Sequence, residues 1–569
     1  MKVSDYVAEC LARHGVTHVF YLIGGMITHL VDSLHRRGSP RLVTVHHEQA
    51  AAFAAEAMAR MTGVPGVALA TSGPGATNLL TGIASCYFDG TPAVFITGQV
   101  NRNELKGDRL IRQQGFQETD IVSMARPITK GAWAVSEPNQ VPGVLRDAFE
   151  LSLEGRPGPV LVDLPMDIQR MNIEPEFLPR RERVVEKSVE ADEVLRDLKV
   201  ARAPLLLAGG GIRCSRATAP FRALVEALGV PVVHSLQGVD LLPSGHPLRA
   251  GMIGTYGNRW ANTALGRSDC LLVLGSRLDI RQTGADAAGF SRGKVIHQVD
   301  VESAEMNNRV KGVHAHQVDL REFFESMLHR IAVADGGWEC DGWLQDIARM
   351  REQWPDTAEQ TPEGLNPNAV MHQISASLGN ASAYVVDVGN HQMWAAQSLE
   401  LSAEQRFLTS AGMGAMGFAL PAAIGVAFAR PDSPAVVVAG DGGMQCNVQE
   451  LQTIVRNKLN IKIVVMDNAS LGMVRHFQES YFGGRLEGTD WDYSAPDFVK
   501  VAEAYAIPGY SARSDAELAS SLRAMAETPG PGVLRVLISR EAKGYPKLAY
   551  GKSIADMEPL ARPRELEGD

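Results

Sequence analysis

Residues 440–472, GDGGMQCNVQELQTIVRNKLNIKIVVMDNASLG, follow one apolar run and contain a second one that ends in Asp-Asn. This pattern predicts a strand ending in Gly-Asp-Gly, then a helix, then a second strand of a parallel sheet. Asp441 and Asn468 would then project from neighbouring strand ends, beside a helix N-terminus. Oxygen ligands and free main-chain N–H groups suit a diphosphate that carries Mg²⁺. Because a Gly-Asp-Gly turn alone often only links a strand to a helix, the prediction depends on the paired spacing.

The same alternation of apolar strand, turn and helical segment recurs along the chain. It predicts an α/β protein built from three doubly wound domains. The first covers residues 1–166, the middle one 190–335 and the third 362–545, and residues 546–569 form a C-terminal tail. A charged, proline-containing segment separates the first two domains, and a polar segment with three tryptophans precedes the third. We expect ligands at the carboxyl ends of the strands.

Composition excludes several classes of function. The 569 residues carry a formal net charge of −10 without a long basic run, which argues against nucleic acid and anionic membranes as partners. No stretch approaches about 18 uninterrupted apolar residues. The N-terminus has the pattern of an amphipathic helix rather than a secretory signal, so we expect a cytoplasmic protein. Six scattered cysteines without a CxxC pair argue against a zinc site or a disulfide framework.

Motifs in all three domains resemble those of the acetolactate synthase family of thiamin diphosphate enzymes. A Gly-Asp-Gly is followed, after 24 intervening residues, by an Asp-Asn pair. The other matching stretches are HEQAAAF (47–53), ATSGPGATNLLTGIA (70–84), GFQETD (115–120), RPGPVLVDLP (156–165), DVGNHQMWAAQ (387–397) and GMGAMGFALPAAIG (412–425). The resemblance implies pyrimidine-binding, FAD-binding and diphosphate-binding domains in that order. It also implies a homodimer or homotetramer with active sites between subunits, and it leaves a regulatory subunit open.

The resemblance further implies which residues hold thiamin diphosphate and its metal. Mg²⁺ would be held by Asp441, Asn468 and the main-chain carbonyl of Ser470. The cofactor-binding residues would be Gly389, Asn390, His391, Gly414, Met416, Gly440, Gly442, Gly443, Leu471, Gly472 and Met473. Asp467 and Asn390 depart from the family, which has Asn and more often Gln at these positions. Met416 would wedge the cofactor into a bent shape, whereas Met413 is expected to fill a core.

Glu48 is the predicted catalytic residue. In the family a carboxyl group at this position contacts N1′ of the aminopyrimidine and favours the imino tautomer, which promotes loss of the thiazolium C2 proton. An HExxH zinc motif is excluded because residue 51 is alanine. We expect His46 and His47 to serve packing or orientation, with a modest chance that they line the acceptor pocket.

The middle domain resembles the FAD-binding domain of acetolactate synthases. A glycine-rich turn after a strand approaches a pyrophosphate, and an acidic residue at a later strand end binds a ribose hydroxyl. The predicted residues are Gly210, Gly275, Arg277 and Asp300, with Arg156 and Asp319 as weaker candidates. FAD would have a structural role. The alternative is a degenerate nucleotide domain that binds ADP or nothing.

The predicted reaction is decarboxylation of pyruvate and transfer of the two-carbon unit to an acceptor carbonyl. Arg281, Phe116, Gln117 and Lys130 match acceptor-site positions of the family, and the arginine favours a 2-keto acid acceptor. Ile280, Phe477 and an insertion of about six residues near position 110 depart from the family and suggest a reshaped pocket. The tail resembles relatives of the yersiniose-forming type, which use a nucleotide-linked keto-deoxysugar. Pyruvate and a bulkier ketone of that kind both stay open as acceptors.

Two other functions remain as alternatives. A flavin-linked pyruvate oxidase would share the folds and both cofactors, but it usually has a membrane-binding C-terminal helix, which EPLARPRELEGD (558–569) does not resemble. A non-catalytic binding subunit would not need Glu48, Asp441 and Asn468, all of which are present.

Overall fold

The computed structural model describes residues 1–178, 191–333 and 340–564. The predicted boundary positions 190 and 335 and the final part of the tail, 565–569, lie outside the described residues. Three six-stranded sheets, each with all its strands parallel, form the three α/β units. The predicted fold class is confirmed, and the domain boundaries stay predictions.

The first domain has the strand order β2-β1-β3-β4-β6-β5. Its strands are β1 (His18–Tyr21), β2 (Arg41–Thr44), β3 (Gly66–Ala70), β4 (Ala93–Gln99), β5 (Gly131–Ala134) and β6 (Pro159–Pro165). Its helices are α1 (Val3–Arg13), α2 (Thr28–Arg37), α3 (Glu48–Thr62), α4 (Pro74–Asn78), α5 (Leu80–Asp89), α6 (Ile121–Ala125), α7 (Val141–Leu153) and α8 (Met166–Arg170). The amphipathic helix predicted at the N-terminus is therefore present as α1.

The middle domain has the strand order β12-β11-β10-β7-β8-β9, which is the doubly wound dinucleotide-binding order. Its strands are β7 (Pro204–Ala208), β8 (Val232–His234), β9 (Arg249–Met252), β10 (Cys270–Leu274), β11 (Val295–Asp300) and β12 (His314–Gln317). Its helices are α9 (Ala191–Val200), α10 (Gly211–Cys214), α11 (Thr218–Leu228), α12 (Arg259–Arg267), α13 (Ile280–Thr283), α14 (Ala287–Ser291) and α15 (Leu320–Val333). The order reverses between β7 and β10.

The third domain has the order β14-β13-β15-β16-β18-β17. Its strands are β13 (Ala383–Val386), β14 (Arg406–Leu408), β15 (Ala435–Gly440), β16 (Ile461–Asp467), β17 (Gly509–Ala512) and β18 (Gly532–Leu537). Helix α16 (Asp341–Gln353) precedes this domain and packs against the core of the middle domain. The helices of the third domain are α17 (Pro367–Ser377), α18 (Asn390–Ser398), α19 (Ala419–Ala429), α20 (Asp441–Cys446), α21 (Leu451–Arg456), α22 (Gly472–Tyr481), α23 (Phe498–Ala504) and α24 (Asp515–Glu527). The order reverses between β13 and β15.

The first and third domains of one chain share an apolar core through α3 and α19. The alanine-rich face of α3 lets the helices approach so closely that a Cβ on Gly425 would lie 2.1 Å from the Ala54 carbonyl oxygen. At the other end of the chain, the tail forms a short hairpin of β19 (Lys547–Leu548) and β20 (Met557–Glu558). None of the helices in the described residues is long and apolar enough to cross a membrane.

Candidate active site

Three helices of the third domain begin at the same edge of the sheet. α18 follows β13, α20 follows β15 and α22 follows β16, and these three strands are direct neighbours. The N–H groups of a first helical turn have no partner within the helix, and the helix dipole favours an anion there. Three such turns at one switch point form a site that suits a diphosphate.

Glycines let these turns approach one another closely. A Cβ on Gly472 would lie 2.8 Å from both Asn390 Nδ2 and Asn468 Nδ2. One on Gly440 would lie 2.9 Å from His391 Cε1, and the Gly440 N–H donates to His391 Nε2 at 3.2 Å. Burial lowers the pKa of His391 to about 3, so that nitrogen is a bare acceptor. The other predicted residues of these turns are Gly389, Gly442, Gly443, Leu471 and Met473.

Asp441 has the properties of a metal ligand. The side chain is buried, and its Oδ2 has no hydrogen-bond partner among the described residues. Burial raises the pKa of Asp441 to about 7, and the charge of Asp467 adds to the shift. A divalent cation would compensate this buried carboxylate. Asn468 and Ser470 follow the next strand, and the Ser470 N–H donates to Asn468 Oδ1 at 3.2 Å. The donor set therefore fits Mg²⁺.

Asp467, which departs from the family, is neutralised by a partner in the next strand. Arg535 Nε lies 2.6 Å from Asp467 Oδ2, and the Ala469 N–H donates to Oδ1 at 3.0 Å. This carboxylate is thus engaged by an arginine and the main chain. Asp467 therefore adds a charge near Asp441 without taking the metal-ligand position.

The segment from Thr409 to Gly417, which follows β14, carries the predicted pyrimidine-binding residues Gly414 and Met416. Gly414 has a φ of 64°, which favours glycine. Met416 reaches the Gly-Asp-Gly turn, because a Cβ on Gly442 would lie 3.1 Å from Met416 Cε. The prediction that Met413 fills a core is wrong, since its side chain is 41% exposed.

Asp387 binds the C-terminal end of this segment, a role that was not predicted from the sequence. Its two oxygens accept the Gly417 and Ala419 N–H groups, each at 2.9 Å. Burial raises the pKa of this carboxyl, and the main-chain donors oppose the shift. An acidic residue directly after a buried strand and before Gly389 was the signal available in the sequence.

Glu48 begins α3 at the carboxyl edge of the first sheet. His47 caps this helix by accepting the Gln49 N–H, which agrees with the predicted orienting role. The buried Glu48 carboxylate accepts a hydrogen bond of 2.9 Å from Asn78 Nδ2. Within the described residues of one chain, no hydrogen bond or ion pair joins it to residues 387–473. Glu48 of one chain therefore has no polar contact with the diphosphate edge of that same chain.

Gln117 lies near Glu48, but Phe116 points into solvent and Lys130 lies elsewhere. Gln117 has a φ of 65° and packs so closely on Gly73 that a Cβ there would lie 2.9 Å from the Gln117 Cβ. Phe116 is 81% exposed. Lys130 directly precedes β5, at the opposite edge of the sheet, and its Nζ donates to the Glu154 carbonyl. The structure therefore does not place Lys130 with Glu48 and Gln117.

A cavity of about 340 Å³ is lined by residues of all three domains. Its lining includes all six residues predicted for FAD: Arg156, Gly210, Gly275, Arg277, Asp300 and Asp319. The main chains after β7 and β10 almost touch, since a Cβ on Gly275 would lie 2.7 Å from Gly211 Cα. Gln237 also lines the cavity, and its buried Nε2 has no hydrogen-bond partner in the part of the chain that the structure describes. Close backbone approach and an unused donor fit a dinucleotide.

The same cavity extends to the predicted acceptor residue and to the thiamin site. Arg281, Gly414 and Met473 are part of its lining. Burial raises the pKa of the neighbouring Tyr256, and the charge of Arg281 opposes the shift. Ile280 and Phe477, the two substituted positions, are 55% and 49% exposed. Neither of them lines the cavity of the single chain.

Comparison with protein families supports this description domain by domain. Residues 1–124 match the thiamine pyrophosphate enzyme N-terminal binding domain, residues 191–327 its central domain and residues 387–536 its C-terminal binding domain. Thiamine pyrophosphate is the same compound as thiamin diphosphate.

Similar proteins cover nearly the whole chain. Acetolactate synthase 2, chloroplastic, of Nicotiana tabacum is 36% identical over 98% of this chain and 85% of its own length. The acetolactate synthase isozyme 2 large subunit of Escherichia coli is 35% identical over 98% and 99%. Acetolactate synthase of Arthrospira platensis is 35% identical over 97% of each chain. The chain therefore belongs to the acetolactate synthase family of thiamin diphosphate enzymes.

Proposed function

We propose that the protein is a carboligase that decarboxylates pyruvate and transfers the two-carbon unit to the carbonyl of a second substrate. The observation that carries the proposal is the convergence of three helix starts around the buried Asp441 carboxylate, next to a cavity that contains Arg281. When bound, thiamin diphosphate supplies the carbanion stabilisation that decarboxylation of a 2-keto acid requires. The residues of the chain bind the cofactor, hold protons and orient substrates.

Each group of residues has one proposed task. Asp441, Asn468 and the Ser470 carbonyl hold Mg²⁺, and the first turns of α18, α20 and α22 hold the diphosphate. Glu48 holds the proton at N1′ of the aminopyrimidine. Arg281 receives the carboxylate of a 2-keto acid acceptor through charge-assisted hydrogen bonds.

The active site is proposed to form between two copies of the chain. The Glu48 carboxylate accepts a hydrogen bond from Asn78 of its own domain, which supports a diphosphate site supplied by a second chain. Apolar side chains are exposed in the first domain, including Ile23 at 53%, and beside the diphosphate edge, including Val474 at 53%. Burial of such side chains stabilises a symmetric homodimer or homotetramer. Several relatives are named large subunits, which supports a possible regulatory subunit.

FAD is the proposed occupant of the middle-domain cavity, with a structural role. The acceptor is either pyruvate, which gives 2-acetolactate, or a bulkier ketone such as a nucleotide-linked keto-deoxysugar. Arg281 favours the 2-keto acid, whereas Ile280 and Phe477 favour a wider pocket. Because the cavity joins the FAD residues to Gly414, a pyruvate oxidase is the second candidate function.

Product analysis tests the proposal. The purified protein with thiamin diphosphate, Mg²⁺ and FAD is incubated with pyruvate alone, and then with pyruvate and a keto-deoxysugar nucleotide. A product with a new carbon–carbon bond in either reaction supports the carboligase, and the reaction that yields it identifies the acceptor. Anaerobic reduction of the flavin by pyruvate at the turnover rate, with no such product, would establish the oxidase. The Glu48→Gln variant is the matched control.

A further inference from the structure

A buried group of charged residues in the first domain binds the segment from Thr409 to Gly417 of the third domain, which carries the predicted pyrimidine-binding residues. The group consists of Glu56 and Arg60 on α3 and Asp89 at the end of α5. Their side chains are 0%, 10% and 3% exposed. Arg60 NH2 lies 2.5 Å from Glu56 Oε1 and 2.7 Å from Asp89 Oδ2. Removal of one partner would leave a buried charge of this group uncompensated, which is strongly destabilising.

The side chains of Arg60 and Asp89 form hydrogen bonds to the third-domain main chain just before Gly414. Arg60 NH1 donates to the Thr409 carbonyl at 2.8 Å. Asp89 accepts the Ala411 N–H at 3.0 Å on one oxygen and the Gly412 N–H at 2.7 Å on the other. The two consecutive N–H groups of Ala411 and Gly412 are thus fixed by one carboxylate.

A second contact from the first domain joins the same segment. Ser85 Oγ lies 3.3 Å from Ser410 Oγ, which accepts the Ala415 N–H at 3.2 Å. The third domain holds the other end through Asp387, which accepts the Gly417 N–H. Residues 413–416 are therefore held on both sides by hydrogen bonds. They include Gly414 and Met416, the two residues proposed to contact the aminopyrimidine.

We propose that Arg60, Asp89 and Ser85 are positioning residues that together fix residues 409–412, and thereby the aminopyrimidine site, within the same chain. This inference rests on the proposed contacts of Gly414 and Met416 with thiamin diphosphate. Helix α3 would then contribute to two active sites. Its first residue, Glu48, serves the site of the other chain, and its second half holds the cofactor segment of its own chain.

The test measures binding of thiamin diphosphate with Mg²⁺ to the full-length protein by calorimetry after the cofactor has been removed. In Asp89→Asn the amide nitrogen faces one of the two N–H groups, so the segment shifts. The expected result is a loss of affinity of about tenfold, the size of one lost charge-assisted hydrogen bond. At saturating cofactor, the KM for pyruvate should stay within about twofold, because the substrate residues are untouched.

Asp269→Asn is the matched control. Asp269 likewise accepts two consecutive main-chain N–H groups, those of Arg202 and Ala203, each at 2.9 Å. This control lies at the amino end of β10, away from the cavity, so it should lower stability as Asp89→Asn does and leave cofactor affinity unchanged. If Asp89→Asn and Asp269→Asn bind thiamin diphosphate with equal affinity, the proposal is wrong.

If Asp89→Asn does not fold, the Ser85→Ala variant tests the same proposal. It removes one hydroxyl and should weaken cofactor binding by about threefold with a native thermal transition. Unchanged affinity in that variant overturns the proposal as well. Because binding is measured without turnover, these outcomes are independent of whether the reaction is carboligation.

Discussion

Glu48→Gln tests the assigned proton chemistry with little change in shape. The Glu48 side chain is 6% exposed and accepts one hydrogen bond, from Asn78 at 2.9 Å. A glutamine can still accept that bond through its carbonyl oxygen, so the free energy of unfolding should change by less than about 1 kcal/mol. A neutral amide cannot take the proton role of a carboxylate. We therefore expect kcat to fall by about 10² to 10⁴-fold.

That loss corresponds to about 3–5 kcal/mol of transition-state stabilisation. The assay is steady-state consumption of pyruvate at saturating thiamin diphosphate and Mg²⁺, together with calorimetric binding of the cofactor. Cofactor affinity should stay within about threefold, because the diphosphate and metal contacts come from the third domain. Glu9→Gln, which removes an exposed ion pair with Arg13, is the control and should leave kcat unchanged. A Glu48→Gln enzyme with near-normal kcat would refute the reasoning.

Three further predictions concern the metal, the assembly and the pH dependence of stability. Asp441→Asn should weaken calorimetric Mg²⁺-dependent cofactor binding by about 100-fold, because a carboxylate ligand is lost, and unchanged binding would contradict the metal assignment. Chains carrying Glu48→Gln, refolded with an equal amount of Asp441→Asn chains, should regain about a quarter of wild-type activity, since half the dimers have one intact site of two. No recovery in mixed dimers would place both residues in one chain. Burial raises the pKa of Asp163 to about 7, so the stability it confers is greatest below its unfolded pKa and is lost as pH rises through 7. Urea unfolding should show that Asp163→Asn gains about 1 kcal/mol relative to wild type between pH 6 and pH 8, and a pH-independent difference would contradict the shift.

The sequence predicted the features that depend on local chain direction. Apolar runs followed by glycine turns predicted the strands, and the parallel sheets bring their carboxyl ends to one edge. Asp441 and Asn468 therefore lie close together, because β15 and β16 are neighbours, as the spacing required. The glycines at these turns have no room for a side chain, which explains why that residue type stands there.

The features that depend on tertiary packing could not be predicted. Lys130 is close in sequence to Gln117, yet the chain reverses direction through α6 between them. Gln117 therefore lies at the carboxyl ends of the strands and Lys130 at their amino ends. The pairing of Asp467 with Arg535 joins strands that are 68 residues apart in sequence. Likewise, nothing local to Asp89 indicates that it binds the N–H groups of Ala411 and Gly412.

We propose that one site, built from Glu48 and the diphosphate edge, makes a carbon–carbon bond from pyruvate. The most direct measurement is ¹³C NMR of the products formed from pyruvate labelled at its carbonyl carbon, with and without a keto-deoxysugar nucleotide. We expect either two adjacent labelled carbons that couple to each other, from two pyruvates, or one labelled carbonyl attached to the sugar. Labelled acetate or another uncoupled two-carbon product, formed together with reduced flavin, would contradict it.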